Sequence, residues 1–245
     1  MNTVKKDYKS DGFKQSPAFV KWLQDKGIVE LQNPITYAGK FVKTDTTSVV
    51  WVMGINDKKY PITDENGNPS KEYKLWTAML QRCYSTSKQY AAYAKVTVDK
   101  RFHKFSDFYE WCHKQVGWKE VNTTHDWGMD KDILQRGVEE KVYSPDVCVF
   151  VPAEVNSYFT TRKAKRGDLP LGVCYHKPHN RYVAQIGNGS GKPITLGAYK
   201  TAEEAFAVYK EAKRLRGLEL ANTWRGIIDD RVIAVLEDYI VTVDM

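Results

Sequence analysis

Alternation of apolar and polar positions is clearest at Arg181 to Ile186, where Tyr182, Ala184 and Ile186 fall on one face of a strand and Arg181, Val183 and Gln185 on the other. A run opened by Leu171-Gly172-Val173 precedes it, and a run from Thr195 to Tyr199 follows. Gly187-Asn188-Gly189 and Gly191 supply turn residues. The period then lengthens to that of a helix. Thr201 is an N-cap with Glu204 three residues on, and Ala205, Val208, Tyr209 and Ala212 form the apolar stripe. Lys213, Arg214 and Arg216 precede Gly217, which is expected to end the helix. The pattern therefore predicts three short strands and one amphipathic helix over 170–217.

Elsewhere the periodicity predicts mixed elements. Ser16 as N-cap, Pro17 at the first helical position and Gly27 past the end bound a helix with Phe19, Val20 and Leu23 on its apolar side. Tyr37 to Lys43 and Ser48 to Ile55 read as strands, the second well buried through Val50, Trp51, Val52 and Met53. The loop Asp64 to Pro69 is the expected domain boundary. Tyr73, Trp76, Leu80 and Cys83, and then Phe105, Phe108, Trp111 and Cys112, recur at helical spacing and read as core stripes. From His125 to Asn156 the order is strand, loop, strand, helix, the helix opening at Pro152 and carrying Glu154 and Asn156. A C-terminal amphipathic helix is expected within 220–245, where Ile227, Ile228, Val232, Ile233, Leu236, Tyr239 and Ile240 make a broad apolar surface. Packing on the adjoining sheet is the first reading of that surface; docking of a host protein or of a second copy are the alternatives.

Composition narrows the class. Hydrophobic residues at 42% and aromatic residues at 13% fit a globular protein rather than a disordered one. No apolar run approaches a membrane span and Met1 to Gly12 lacks a signal-peptide core, so a soluble, cytoplasmic protein with no membrane partner is expected. Cys83, Cys112, Cys148 and Cys174 are far apart with no CxxC pair, which fits reduced thiols better than zinc or disulfides. The net charge of +7 is placed unevenly: 161–217 holds 12 Lys and Arg against 4 Asp and Glu, and the remainder 25 against 26. The excess begins in a basic linker, Arg162, Lys163, Lys165 and Arg166, suited to lying along phosphates and releasing counterions.

Residues 170–217, with LGV opening the first strand, RYVAQI as the second, TLGAY as the third and TAEEAFAVYKEAKRLRG as the helix, resemble the AP2 DNA-binding domain. The resemblance implies that the exposed sheet face enters the major groove of double-stranded DNA. The implied contact positions are Cys174, His176, Lys177 or His179, Arg181, Gln185 and Thr195, with Lys192 adding charge. Where that family has arginines in strand one this chain has Cys174 and His176, and a later arginine is Gly187. General DNA affinity is therefore expected more firmly than inherited base readout.

LWTAMLQRCY, FHKFSDFYEW, MDKDIL and YSPDVCVFVPAEVN, in that order, resemble the HNH-like endonucleases of bacteriophages, many of them homing enzymes. Such phage proteins often carry an AP2-like module behind the nuclease. The resemblance implies a ββα unit that binds one Mg²⁺ and hydrolyses a phosphodiester. The implied catalytic positions are Asp130, Lys131 and Asn156, with Asp130 and Asn156 as metal ligands. Two positions depart from the pattern: a lysine beside a metal is a poor general base, and Val147, in the place of a bracing asparagine, offers no side-chain hydrogen bonds.

The expected fold class is α+β: an N-terminal helix and β region (1–70), a degenerate HNH-like ββα domain (71–162), a basic linker (163–167), an AP2-like three-stranded antiparallel sheet packed on one helix (168–219) and the C-terminal helix (220–245). The expected function is DNA binding of a phage type, in a host-cell cytoplasm if the chain is viral, with Mg²⁺-dependent cleavage as the enzymatic reading. The alternative is a nuclease scaffold without chemistry, acting as a DNA-binding regulator or as a counter-defence inhibitor of a host protein.

Overall fold

The computed structural model describes residues 42–43, 48–50, 53–85, 87–121, 126–161, 167–187 and 193–243. The helix expected from Ser16 to Gly27, the linker residues Arg162, Lys163, Lys165 and Arg166, and Lys192 lie outside them. The described residues are mixed helix and strand with small sheets, an α+β arrangement. They divide into two compact units, Met1–Cys112 with Glu140–Pro145, and His113–Glu139 with Asp146–Met245. This division falls neither at the Asp64–Pro69 loop nor at the basic linker. The Asp64–Pro69 loop lies inside the first unit, wrapped around Asp64 Oδ1, which accepts the amides of Asn66 (3.0 Å) and Asn68 (2.8 Å).

In the first unit β1 (Val42–Lys43), β2 (Ser48–Val50) and β3 (Gly54–Asn56) form an antiparallel sheet in that order. The single buried strand expected over Ser48 to Ile55 is instead a hairpin, with Val50 opposite Gly54 and Val49 opposite Ile55. Gly54 opens the second strand of that hairpin. The helices α1 (Lys71–Tyr84) and α2 (Phe105–Lys114) bury the two aromatic stripes, with Trp76, Phe102, Phe105 and Phe108 fully enclosed. Ser70 caps α1 by accepting the Tyr73 amide. The Trp76 indole donates to the Phe102 carbonyl at 2.7 Å, so its one polar atom is satisfied within the core. A short parallel pair, β4 (Thr97–Val98) with β6 (Val142–Tyr143), completes the unit.

The second unit begins with β5 (Trp127–Asp130) and β7 (Val149–Pro152), antiparallel from Trp127 opposite Pro152 to Asp130 opposite Val149. The helix α3 (Ala153–Tyr158) follows. Then come β8 (Val173–His176), β9 (Arg181–Gly187) and β10 (Pro193–Tyr199), an antiparallel sheet in the order β10-β9-β8, backed by α4 (Ala202–Trp224). The capping box at Thr201 and Glu204 is present. A last helix, α5 (Asp230–Asp238), packs on α4. Ile228, Val232, Ile233, Leu236 and Tyr239 are buried in this unit's own core, while Ile227 and Ile240 stay exposed. Most of the apolar C-terminal surface is thus consumed within the chain.

Gly217 does not end the helix; α4 runs on to Trp224. The glycine marks a close approach instead. A Cβ there would come within 2.5 Å of the Tyr158 hydroxyl and 2.7 Å of the Leu236 carbonyl oxygen. One turn earlier, Tyr158 Oη donates to the Lys213 carbonyl at 2.9 Å while Lys213 Nζ donates to the Tyr158 carbonyl. The ammonium also sits 3.9 Å from the centre of the Tyr158 ring. Glu154 ties the same two helices at their other end, accepting from Trp224 Nε1 at 2.8 Å and Arg216 Nη2 at 3.0 Å. These contacts fasten α3, and with it the β5–β7 pair, to the helix that backs the three-stranded sheet.

Two expectations follow. Gly217→Ala must push apart α4 and its neighbours, and should lower the unfolding free energy by about 1–3 kcal/mol in chemical denaturation. Burial, with Arg136 nearby, lowers the Lys213 pKa to about 8. An unfolded lysine titrates near 10.4, so the unfolded chain holds more protons between those values and this group's contribution to stability rises with pH across that window. The contribution amounts to about 3 kcal/mol. Lys213→Met should remove it, read as the difference between variant and wild-type denaturation at pH 7.5 and 9.5.

Candidate nucleic-acid interface

The register of the three strands sorts their side chains onto two faces. Val173 lies opposite Ala184, and Gly197 opposite the same Ala184, so these share the face toward α4, together with Tyr175, Tyr182, Ile186, Ile194 and Tyr199. Ala184 is completely buried there, and Tyr182, Ile186 and Tyr199 pack against the core. At Gly172, φ is +76°, and an added Cβ would strike the Tyr209 ring at 2.0 Å, so the strand's opening Leu-Gly-Val positions β8 flush against α4. A bulge between Thr195 and Gly197 takes up one extra residue in β10, with Leu196 turned to the core.

The opposite face carries Cys174, His176, Arg181, Val183, Gln185, Thr195 and Ala198. Five of the positions expected to contact DNA, Cys174, His176, Arg181, Gln185 and Thr195, are therefore neighbours on one surface. His176 lies opposite Arg181, Cys174 opposite Val183, and Gln185 opposite Thr195, with Gln185 Nε2 3.5 Å from Thr195 Oγ1. Lys177 and His179 sit in the 3-10 turn between β8 and β9, exposed at the edge of that surface. No Asp or Glu occurs between Leu169 and Lys200.

Two residues that sequence reasoning passed over shape this edge. Asn180 closes the turn in the left-handed region at φ +47° and accepts the Tyr175 hydroxyl at 2.6 Å. Its carbonyl accepts Arg181 Nη1 at 3.1 Å, which holds the guanidinium beside the turn. The signal was present in Pro178-His179-Asn180, since asparagine after proline is a turn residue tolerant of that backbone conformation.

The second expected site lies on β5 and α3. Asp130, at the end of β5, is buried at 7% exposure. Its Oδ1 accepts the amides of Asp132 (2.6 Å) and Ile133 (2.8 Å), an arrangement that closes the turn after the strand. Burial raises the Asp130 pKa, opposed by the Ile133 amide and reinforced by the Asp132 carboxylate. Lys131 is also buried, at 6% exposure, and its ammonium bonds both carboxylate oxygens of Asp132 at 2.9 and 2.8 Å. Its carbonyl accepts Gln135 Nε2 at 2.6 Å. Asn156 is exposed on α3, whereas Val155 and Tyr158 face the core, and no hydrogen bond joins Asn156 to Asp130.

These residues do not fit a Mg²⁺ ion. One Asp130 oxygen is committed to two amides, burial works against the charged form a ligand must adopt, and the Lys131 cation is held in the same turn. Among the described residues no group of three or more His, Cys, Asp or Glu could hold a metal ion. In the first unit His103 is a structural histidine: its Nε2 lies 3.1 Å from the Val98 carbonyl and 3.2 Å from the Tyr84 hydroxyl, and burial lowers its pKa.

No family model matches the chain, and neither does any curated protein or solved structure. No described helix is long and apolar enough to cross a membrane.

If Asp130 braces the turn, Asp130→Ala orphans two amides and should cost about 1–3 kcal/mol in unfolding free energy, while Asp130→Asn keeps the acceptor and should cost less. Thermal melts of both variants and wild type should be unmoved by millimolar Mg²⁺. A wild-type melt raised by Mg²⁺, with the rise lost in Asp130→Asn, would assign Asp130 to a metal instead.

Proposed function

We propose that this protein binds double-stranded DNA through the face of β8–β10 turned away from α4, and that its ββα segment is a scaffold rather than a catalytic centre. The observation that carries the reading is the composition of that face: His176, Arg181, Gln185 and Thr195 side by side, Lys177 and His179 at its rim, and no carboxylate in the strands or turns that build it. Arginine offers a fork of donors and glutamine a donor beside an acceptor, both matched to base edges, and lysine and imidazolium suit phosphates. The strands are two-faced, so the outer residues are free for a ligand while the inner ones hold the fold.

The order of three antiparallel strands and a capped helix supports the AP2-like reading, and the strand-loop-strand-helix order from Trp127 to Tyr158 supports the HNH-like one. The regulator reading is favoured over the nuclease by the state of Asp130 and Lys131. One Asp130 oxygen and the Lys131 ammonium are engaged in the turn they belong to, which counts against a role in polarising a phosphodiester or activating water. The basic residues Arg162, Lys163, Lys165 and Arg166 add a second source of phosphate contact in the same half of the chain.

Binding of a labelled duplex, followed by fluorescence anisotropy, should weaken steeply with salt. Arg181→Ala should cost about 1–3 kcal/mol, and Lys177→Ala should weaken all duplexes alike and reduce the salt slope by about 1. Supercoiled plasmid incubated with the protein and Mg²⁺ or Mn²⁺ should remain unnicked. Nicking that Asp130→Ala abolishes would restore the nuclease, and failure to bind any duplex would remove the DNA reading.

A further inference from the structure

We infer that duplex binding is coupled to proton uptake by His176 and His179, so that affinity rises as pH falls through the range in which imidazole gains its charge; this rests on the DNA reading above. The two rings are stacked, with centroids 4.9 Å apart and planes inclined by 14°. His176 ends β8 and faces Arg181 across the β8–β9 ladder, and His179 lies in the turn that also carries Lys177. Two further cations thus adjoin the pair, one from each element that frames it.

Among the described residues of this sheet face and its β8–β9 turn, none is a carboxylate that could neutralise a second imidazolium. Cys174, Gln185 and Thr195 on the same face are not carboxylates, the Tyr175 hydroxyl is engaged by Asn180, and the Asn180 carbonyl is taken by Arg181. The nearest acids along the chain are Asp168, before β8, and Glu203 and Glu204, which open α4. That helix packs on the other side of the sheet, where Glu204 accepts the Lys200 and Thr201 amides and Glu211 pairs with Arg214. The two imidazoles, Lys177 and Arg181 thus share one patch, where any imidazolium meets like charges.

A phosphodiester backbone reverses this balance. Its negative oxygens accept from imidazolium N–H groups and offset the repulsion between the rings, so the bound state holds more protons than the free state. The sign follows from linkage: binding that favours the charged rings takes up protons, so affinity rises as pH falls and the gain is lost as pH rises. The pair is therefore a phosphate clamp whose strength is set by protonation, distinct from the pH-independent pull of Lys177 and Arg181.

The test uses the full chain and a labelled duplex at constant ionic strength from pH 5.5 to 8. Wild type should bind at least about tenfold more tightly at pH 6 than at pH 8, since one proton taken up contributes up to about tenfold per pH unit. His176→Gln combined with His179→Gln should flatten the profile, so that affinity varies less than about threefold over the range. An equal pH dependence in both proteins, or a loss of the same factor at every pH, overturns the clamp while leaving DNA binding intact. Absence of wild-type binding at every pH overturns both readings. Independently of any variant, duplex addition should move the pH response of the His176 and His179 ring NMR signals upward, and an unmoved response overturns the clamp.

Discussion

The second unit is organised by the close passage of α4 over Tyr158. A glycine at 217 is what allows it, because any side chain would meet both the Tyr158 hydroxyl and the main chain at Leu236. Once the helices are that close, Tyr158 and Lys213 exchange hydrogen bonds with each other's main chain, and Glu154 reaches Arg216 and Trp224. The β5–β7 pair, α3, α4 and α5 then share one core with the inner face of the three-stranded sheet. Burying Lys213 is the cost of this arrangement, offset in part by the Tyr158 ring and carbonyl.

This packing decides what is left for function. With α4 covering Val173, Ala184 and Tyr182, the sheet has one face in the core and one toward solvent, and the solvent face gathers cations, imidazoles and amides without acids. By contrast, the segment from Trp127 to Tyr158 buries Asp130 and Lys131. Asp130 satisfies two amides and Lys131 is paired with Asp132. A buried polar group that completes its own turn stabilises the fold, and for that reason is poorly placed to bind a metal or a phosphate.

The period-two signal of β9 was legible because Tyr182, Ala184 and Ile186 meet the core on one face while Arg181, Val183 and Gln185 line the other. The Thr201 capping box was legible for a similar reason, since it depends only on residues four apart or fewer. The fates of Gly217 and Ser48 to Ile55 were not legible. A glycine past a basic turn reads as a helix stop, and only the arrival of Tyr158 from 59 residues earlier explains why it sits mid-helix. The run Val50 to Ile55 reads as continuous because its apolar character hides the reversal before Gly54. The hydrogen-bond partners of Asp130 and Lys131 were equally hidden, because sequence gives a carboxylate's neighbours along the chain but not which amides turn toward it.

Amide hydrogen exchange of the full chain, with and without a duplex, tests most directly whether the outer sheet face meets DNA. Contact there requires slower exchange on duplex addition in peptides spanning Cys174 to Gln185 and in those containing Thr195, with α1 and α2 unchanged. Exchange that slows only in the first unit, or nowhere, would contradict the assignment of this face.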